Sequence, residues 1–384
     1  MLILAVAVTG ARLLAVGHGD ISRFVVAGRA QVDPSAAPPD LHVFPGGGYD
    51  GQFAYRLALA PYDLRVDAHG IVIDSPLRLQ RIAYPTLSWL LAAGRSQWVA
   101  AALVAVNILA LAALGLLGGI LARDHGRRPL WGLLLAGFPG FLFSLSRDLT
   151  EIVAAVGVVA GLLAWRRHRP TVAGMAFTVA VLARETALLA VVAMAVGHLA
   201  AWRRGVSRPC GARVWALPII TFGLWQLVCV WNAHGVPMLA GTGDNIVTPL
   251  TGLFPSAVAW FGDVTRHPGA MLPTLLAILA LLQFAALGVT AGLAVARLHT
   301  TTGPTGPTGP TGTFEMRVGF VLALLLAISL SGFVLRTPAS FRQLVDLHVF
   351  AAVVLLGTDG RLRIPAAVLA AAWVGTALAM TMVV

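Results

Sequence analysis

The chain has 384 residues, of which 58% are hydrophobic and 11% charged, and its mean hydropathy is +0.83. These values exclude an ordinary soluble domain of this length, and repeated apolar runs of about 20 residues predict transmembrane helices. The formal net charge of +11 comes from arginines scattered over the loops between apolar runs, so it does not indicate nucleic-acid binding.

The predicted elements begin with a short apolar run at 2–16. We expect a first spanning helix there, and a cleaved signal peptide is the alternative. Residues 17–97 form a long polar segment, which we expect to be an extracytoplasmic loop with interfacial helices. Its last part, 75–94, predicts an amphipathic helix with Arg78 and Arg81 on one face.

The remainder alternates between apolar runs and short polar loops. With the first run, this pattern predicts an all-α, polytopic helical bundle of about 11 transmembrane helices, forming one membrane domain over 1–384. The later runs are 98–122, 131–145, 152–165, 171–183, 188–202, 214–231, 272–298, 318–335, 344–356 and 364–384.

Basic clusters predict the orientation of these helices. Arginines concentrate on alternate loops, which we expect to be cytoplasmic by the positive-inside rule. The polar segment 17–97 and the acidic turns then share the extracytoplasmic side of the plasma membrane. The basic clusters are Arg123, Arg127 and Arg128; Arg166, Arg167 and Arg169; Arg203, Arg204 and Arg208; and Arg361 and Arg363.

A short repeat, GPTGPTGPTG, occupies 303–312 on a predicted cytoplasmic loop. Glycine at every third position is typical of collagen, but a triple helix needs far more length and three chains. The region 300–313 is therefore predicted to be a collagen-like, extended linker.

The stretch FPGGGYDGQFAYRLAL, at 44–59, interrupts the apolar pattern with Asp50. Gly46 to Gly48 disfavour a helix, so we expect one to begin at Gly51 with Asp50 as its cap. The functional alternative is that Asp50 is a general base that takes a proton from a sugar hydroxyl, which requires a partly shielded carboxylate.

Two further turns place charges where the helices meet the membrane surface. SLSRDLTE contains Arg147, Asp148 and Glu151, and LARETALL contains Arg184 and Glu185. Helix capping and local ion pairs would explain these residues structurally. Ionisable groups at membrane depth are costly, however, and commonly serve function.

Many arginines fall on the predicted outer side, where the positive-inside rule does not require them. Some should pair with acids, and the others could hold the phosphate of a lipid-linked substrate. Arg336 and Arg342, in RTPASFRQLVD, are the strongest candidates because their loop is short. The full set is Arg56, Arg78, Arg81, Arg147, Arg184, Arg266, Arg336 and Arg342.

Familiar motifs for other chemistries are missing from the sequence. It contains no GxxxxGK[ST], HExxH, CxxC or GxSxG pattern, so ATP hydrolysis and zinc binding are not indicated. Cys210 and Cys229 are not expected to form a disulfide. No cofactor is predicted, although Asp50, Asp148 and Glu151 could meet at one divalent metal ion.

In combination, the motifs GYDGQFAYRLAL, RDLTE, ARETALL and DSPLRLQRIAYP resemble those of GT-C superfamily membrane glycosyltransferases of the actinobacterial cell-surface glycopolymer type. The resemblance covers about the first 200 residues. It implies a polyprenyl-phosphate sugar donor, a glycan or glycolipid acceptor, inversion at the sugar carbon, Asp50 as base and arginines on the leaving phosphate.

Two other classes stay open at this stage. Charges at broken helices also occur in transporters, so a flippase for a lipid-linked sugar is an alternative. Transporters commonly contain two similar halves, and no such repeat is visible here. A non-catalytic scaffold of an envelope-assembly complex is the third hypothesis.

Overall fold

A computed structural model describes residues 1–205, 211–233, 235–240, 245–266, 271–300, 314–336, 338–358 and 360–381. Helices dominate these residues, so the all-α prediction is confirmed. The GPT repeat, Arg208 and Cys210 lie outside the described residues, as does the side chain of Arg266. Cys229 is a buried free thiol.

The helices follow the predicted runs closely in most places. We number them α1 Leu2–Ala15, α2 Gly51–Leu59, α3 Ala83–Leu91, α4 Val99–Asp124, α5 Leu133–Ala136, α6 Pro139–Ser146, α7 Glu151–Arg166, α8 Pro170–Ala183, α9 Leu188–Arg203, α10 Arg213–Ala233, α11 Leu253–Arg266, α12 Met271–Thr300, α13 Phe314–Ile328, α14 Gly332–Leu335, α15 Val345–Gly357 and α16 Arg363–Met380.

The prediction of about 11 spans was wrong. By length and composition, five stretches of the described chain could cross a membrane, or six if the bent pair α5 and α6 forms one span. Helix α7 has 16 residues, α8 has 14 and α15 has 13. At a rise of about 1.5 Å per residue, even α7 reaches only about 24 Å, less than the bilayer core of about 30 Å.

The five candidate spans belong to the longer helices. They are Ser96–Asp124, Glu185–Arg203, Arg213–Ala233, Thr274–Leu298 and Arg363–Met380. The chain is thus a candidate polytopic membrane protein with fewer crossings than its apolar runs suggested.

The predicted helix 131–145 is broken in two. Helices α5 and α6 meet at an angle of 61°. Phe138 is extended, with ψ of 125°, and Pro139 is the first residue of α6. Proline lacks an N–H and disfavours helical backbone in the residue before it, which explains the break.

The short helix α15 lies in the centre of the bundle. Its residues from Leu347 to Gly357 are all buried and, apart from His348, apolar, so the helix is buried on every side. Such a helix packs inside the protein and need not face lipid. Helices α7 and α8 form a close hairpin. The absence of a side chain at Gly157 permits this approach, since a Cβ there would lie 2.8 Å from the carbonyl oxygen of Ala176.

The polar segment 17–97 folds against the ends of α4 and α7. Strand β1, Ala27–Gly28, pairs in parallel with β2, Val43–Phe44, and β3, Asp67–Ala68, pairs antiparallel with β4, Ile71–Val72. Buried side chains of this segment, such as Val25 and Ile71, share one hydrophobic cluster with Leu103 of α4 and Val153 of α7.

The predicted amphipathic helix 75–94 forms only in part. Pro76–Arg78 is a single 3₁₀ turn, and α3 starts at Ala83, so Arg78 and Arg81 do not share a helical face. Tyr84 anchors α3 by donating to the carbonyl of Leu103 at 2.9 Å and accepting from Asn107 at 2.9 Å.

Basic loops gather at one end of α7, away from its first residue Glu151. Arg166 contacts His125 at 2.8 Å, and Arg167 pairs with Asp124 at 3.3 Å. Arg127 donates to the carbonyls of Thr358 and Gly360, so the loop after α15 lies at this end too. The other end of α7 carries the acidic turns.

Candidate functional site

Asp50 lies directly before α2, as the sequence predicted, but it makes no capping hydrogen bond with its side chain. Its carboxylate instead forms ion pairs with two arginines, of which Arg342 also donates a hydrogen bond to it. Arg78 Nη1 lies 3.0 Å from Oδ1, and Arg342 Nη2 lies 2.6 Å from Oδ2. The Asp50 side chain is 22% exposed, so it is accessible from the cavity described below.

Backbone contacts fix where Asp50 sits. The N–H of Tyr49 donates to the carbonyl of Val26 at 2.8 Å. Gly48 has φ of +69°, which favours glycine, and a Cβ at Gly51 would lie 2.2 Å from the carbonyl oxygen of Arg147. A Cβ added at Gly46 or Gly47 would meet no atom within 4 Å, so a side chain is tolerated at these two positions of the glycine run.

Glu151 is the centre of a second set of ion pairs. It is the first residue of α7, and its side chain is fully buried between Arg184 and Arg342. Arg184 Nη1 lies 2.6 Å from Oε1, Arg342 donates to the same oxygen, and Ser144 Oγ donates to Oε2 at 2.9 Å. The buried carboxylate is therefore well compensated.

Two outer pairs complete the arrangement. Arg81 binds Glu185 with both ends of its guanidinium, at 2.9 and 2.6 Å. Arg78 binds Asp74 in the same way, at 3.0 and 3.2 Å. Such bidentate contacts fix the direction of the arginine fork.

Seven of the predicted site residues thus lie together in ion pairs, and we call this set the arginine–carboxylate network. They come from the polar segment, the start of α7, the turn after α8 and the turn before α15. The members are Asp50, Arg78, Arg81, Glu151, Arg184, Glu185 and Arg342.

Two predicted phosphate-binding arginines lie outside the network. Arg56 is buried in α2 and donates to the carbonyls of Asp63 and Arg65, so it closes the loop that follows its own helix. Arg336 is 48% exposed, 3.9 Å from Asp263, and lies over the ring of Trp260. The structure therefore separates Arg336 from Arg342, which the sequence grouped together.

The remaining two predicted residues, Arg147 and Asp148, lie behind the network. Arg147 stacks over the rings of Tyr49 and Phe143, at 5.5 and 5.6 Å from their centroids. Asp148 is fully buried in the left-handed region, with φ of 51°. Its carboxylate has no hydrogen-bond partner among the described residues.

A cavity of about 610 Å³ opens beside the network. Its volume is in the range of small-molecule sites. Its lining includes a charged set, Asp50, Arg78, Arg81, Arg184, Glu185 and Arg342. It also includes an apolar set, with Leu188, Leu189, Leu326, Leu330 and Val334. The cavity therefore offers both charged and hydrocarbon surface to a ligand.

A second, water-sized cavity of about 20 Å³ lies between Asp50 and Asp148. Arg78, Arg81, Thr150 and Arg342 also line it. This volume accommodates about one water molecule, and apolar side chains such as Phe53 and Leu57 line it as well.

The two aspartates have opposite electrostatics. Burial by itself raises the pKa of Asp50, but the charges of Arg342, Arg78 and Arg81 outweigh burial and hold that pKa well below its usual range. Burial raises the pKa of Asp148 well above its usual range, and the charge of Arg12 opposes the rise only partly. Asp50 is thus ionised, whereas burial favours the neutral form of Asp148.

Two of the three acids that could have met at a metal ion contact a cation instead. Asp50 and Glu151 both accept from Arg342. Among the described residues, no group of three or more His, Cys, Asp or Glu side chains is placed to hold a metal ion.

Sequence reasoning missed three polar partners of the network. Ser144 donates to Glu151, Thr186 accepts from Arg184 Nε at 3.0 Å, and Gln343 accepts from Arg184. Ser144 and Thr186 stand within the SLSRDLTE and LARETALL motifs, and Gln343 directly follows Arg342. Their position next to predicted charged residues was therefore the signal in the sequence that could have identified them.

The comparisons with known proteins give no assignment. No family model matches the chain, and neither a curated protein nor a solved structure is significantly similar to it. What the fold defines is the class: a helical protein in which five or six described stretches are long and apolar enough to cross a membrane, with a charged network and a cavity lined by charged and apolar side chains.

Proposed function

We propose that this protein is a membrane glycosyltransferase that moves a sugar from a polyprenyl-phosphate donor to a glycan or glycolipid acceptor on the outer face of the membrane. The observation that carries the proposal is the cavity beside the network, which is lined by four arginines and by apolar side chains. A polyprenyl-phosphate sugar has a phosphate for the arginines and a hydrocarbon chain for the apolar side chains. The sequence resemblance to GT-C enzymes points to the same substrate class.

The arginines that line the cavity supply the phosphate site. Arg78, Arg81, Arg184 and Arg342 all line the cavity. A guanidinium binds phosphate oxygens with two parallel hydrogen bonds, and a partly dry cavity strengthens that attraction. Carboxylates hold these arginines in position, so their side chains lose little conformational entropy when the phosphate binds.

Asp50 is the base in the proposed reaction. The acceptor hydroxyl oxygen attacks the anomeric carbon and forms the new glycosidic bond. The bond between that carbon and the phosphate oxygen breaks, and the polyprenyl phosphate leaves with the electron pair. The hydroxyl proton passes to the Asp50 carboxylate. Because the leaving group is already a phosphate stabilised by arginines, no acid is needed to protonate it.

Sugar transfer in membranes tests the proposal. Membranes containing equal amounts of wild type or Asp50→Asn would receive a radiolabelled polyprenyl-phosphate sugar, and labelled glycan would be counted. Asp67→Asn is the matched control, since Asp67 belongs to the same polar segment but is exposed and does not line the cavity. Loss of transfer in Asp50→Asn alone is the expected result.

Two outcomes would count against the proposal. Transfer that survives Asp50→Asn would remove Asp50 as the base. Absence of transfer by wild type with a panel of donor sugars would favour a scaffold or a transporter instead.

A transporter of lipid-linked sugars is the second candidate, and the bent pair α5 and α6 favours it. Broken helices at membrane depth are common at transporter binding sites. Movement of a fluorescent lipid-linked sugar across proteoliposomes, without formation of a glycosidic bond, would support this alternative.

A further inference from the structure

Both arginines that hold Asp50 have a second carboxylate partner. Arg78 forms an ion pair with Asp50 through Nη1 and donates to Asp74 through Nε and Nη2. Arg342 donates to Asp50 through Nη2 and to Glu151 through Nη1. If Asp50 were removed, each guanidinium would still be anchored by its other acid.

The Asp50 carboxylate therefore occupies a preformed anion position. Two cationic groups contact its two oxygens from different segments, one at 3.0 Å and one at 2.6 Å. All three side chains line the cavity of about 610 Å³. A phosphate entering this cavity meets the same two donor groups that Asp50 uses.

From these contacts we propose that Asp50 is a resident anion that a substrate phosphate displaces from Arg78 and Arg342. The inference rests on the proposed function for the identity of the phosphate, namely the head of a polyprenyl-phosphate lipid. Displacement replaces one carboxylate by one phosphate between two anchored cations, so the arginines themselves do not need to move.

The local backbone is compatible with movement of Asp50. Its side chain makes no capping bond to α2, so the helix does not depend on where the carboxylate points. The bond from Tyr49 N–H to Val26 and the close approach of Gly51 to Arg147 hold the backbone on both sides, so the movement is a rotation of the Asp50 side chain. The carboxylate could swing toward the cavity while α2 stays packed.

Displacement would also change the chemistry of Asp50. While it contacts the arginines, their charges hold the pKa of its carboxyl well below the usual range, which makes it a weak base. A phosphate that neutralises these arginines would make the released carboxylate more basic. The proton acceptor would then become effective only when the donor is bound.

Binding of farnesyl phosphate to the purified full-length chain in detergent tests displacement without requiring catalysis. Asp50→Asn removes the resident anion and should tighten binding by about tenfold or more, as expected for freeing hydrogen bonds between charged groups. Asp74→Asn is the matched control, because it removes an equal charge from Arg78 but vacates no position shared with Arg342. It should change the affinity for farnesyl phosphate far less.

Inorganic phosphate serves as a second probe. Tighter binding of farnesyl phosphate alone would assign the lipid as the source of the phosphate.

Equal tightening in Asp50→Asn and Asp74→Asn would overturn the proposal, since general charge repulsion would then suffice. Unchanged or weaker binding in Asp50→Asn would overturn it as well. Asp50→Ala provides a second variant, with gel filtration and melting temperature as checks on folding. Tightened binding in Asp50→Asn together with no sugar transfer by the wild type would refute the glycosyltransferase alone. Transfer by the wild type without tightening in Asp50→Asn would refute displacement alone.

Discussion

Arg342 Nη2 lies 2.6 Å from Oδ2 of Asp50, although 292 positions separate the two residues in the chain. The other end of the same guanidinium contacts Glu151. One side chain before α15 thereby connects the polar segment after α1 with the start of α7. The contact makes the integrity of the site depend on how the C-terminal helices pack.

Removal of the charge of Glu151 should strongly destabilise the fold. Glu151→Gln leaves Arg184 and Arg342 buried without the carboxylate that both contact. Breaking a buried ion pair by deleting one partner costs about 3–5 kcal/mol. Thermal unfolding in detergent should show a clear loss, and a melting temperature equal to that of wild type would contradict this role.

The matched comparison is Glu185→Gln. Glu185 and Arg81 also form a bidentate pair, but their side chains are 17% and 11% exposed, so water partly compensates the loss. A smaller destabilisation is expected than for Glu151→Gln. The reverse order would indicate that burial does not decide the strength of these pairs.

Lysine should not replace Arg342 in function. A lysine ammonium lacks the planar fork that reaches Asp50 and Glu151 from opposite ends. Loss of one hydrogen bond between charged groups, worth about 1.5–3 kcal/mol, predicts about a 10- to 100-fold lower rate of sugar transfer in Arg342→Lys. Arg336→Lys, outside the network, should retain the wild-type rate in the same assay.

Substitution of Gly51 should disturb the site through the backbone. A Cβ there would lie 2.2 Å from the carbonyl oxygen of Arg147, so Gly51→Ala must shift α2 and Asp50 or move the turn before α7. Gly47→Ala meets open space and should be tolerated. Melting temperature and transfer activity would be compared for the two variants, and equal behaviour would refute the close approach.

Stability should depend on pH through Asp148. Burial raises the pKa of this carboxyl in the folded protein, so the folded state retains a proton that the unfolded chain releases. The free energy of unfolding therefore falls as pH rises from the unfolded pKa, about 4, toward the raised folded pKa, by at most about 1.4 kcal/mol per pH unit.

Asp148→Asn should remove this dependence. Asparagine carries no charge and tolerates the left-handed backbone at φ of 51°. Its melting temperature should exceed that of wild type at neutral pH, and the difference should shrink below about pH 4. A difference that stays constant with pH would show that Asp148 does not titrate as its burial implies. Asp67→Asn controls for the general loss of a negative charge.

Local signals in the sequence determined most of the helix limits and the start of α2. Proline, glycine and apolar periodicity act over a few residues, so they are readable without knowledge of the fold. They did not determine how many helices cross the membrane. A short helix buried on every side, such as α15, has the same apolar composition as a span.

The sequence also supplied the charged residues of the network but not their pairing. Nothing in the sequence distinguished Arg342 from Arg336, since both lie in one loop. Arg56 lies six residues after Asp50, and no signal in the sequence separated it from those two arginines. The tertiary structure places Arg342 against Asp50 and Glu151. Arg56 instead donates to carbonyls of the loop after its own helix, and Arg336 is half-exposed. Ion pairs between distant segments depend on packing of the whole bundle, which no local pattern encodes.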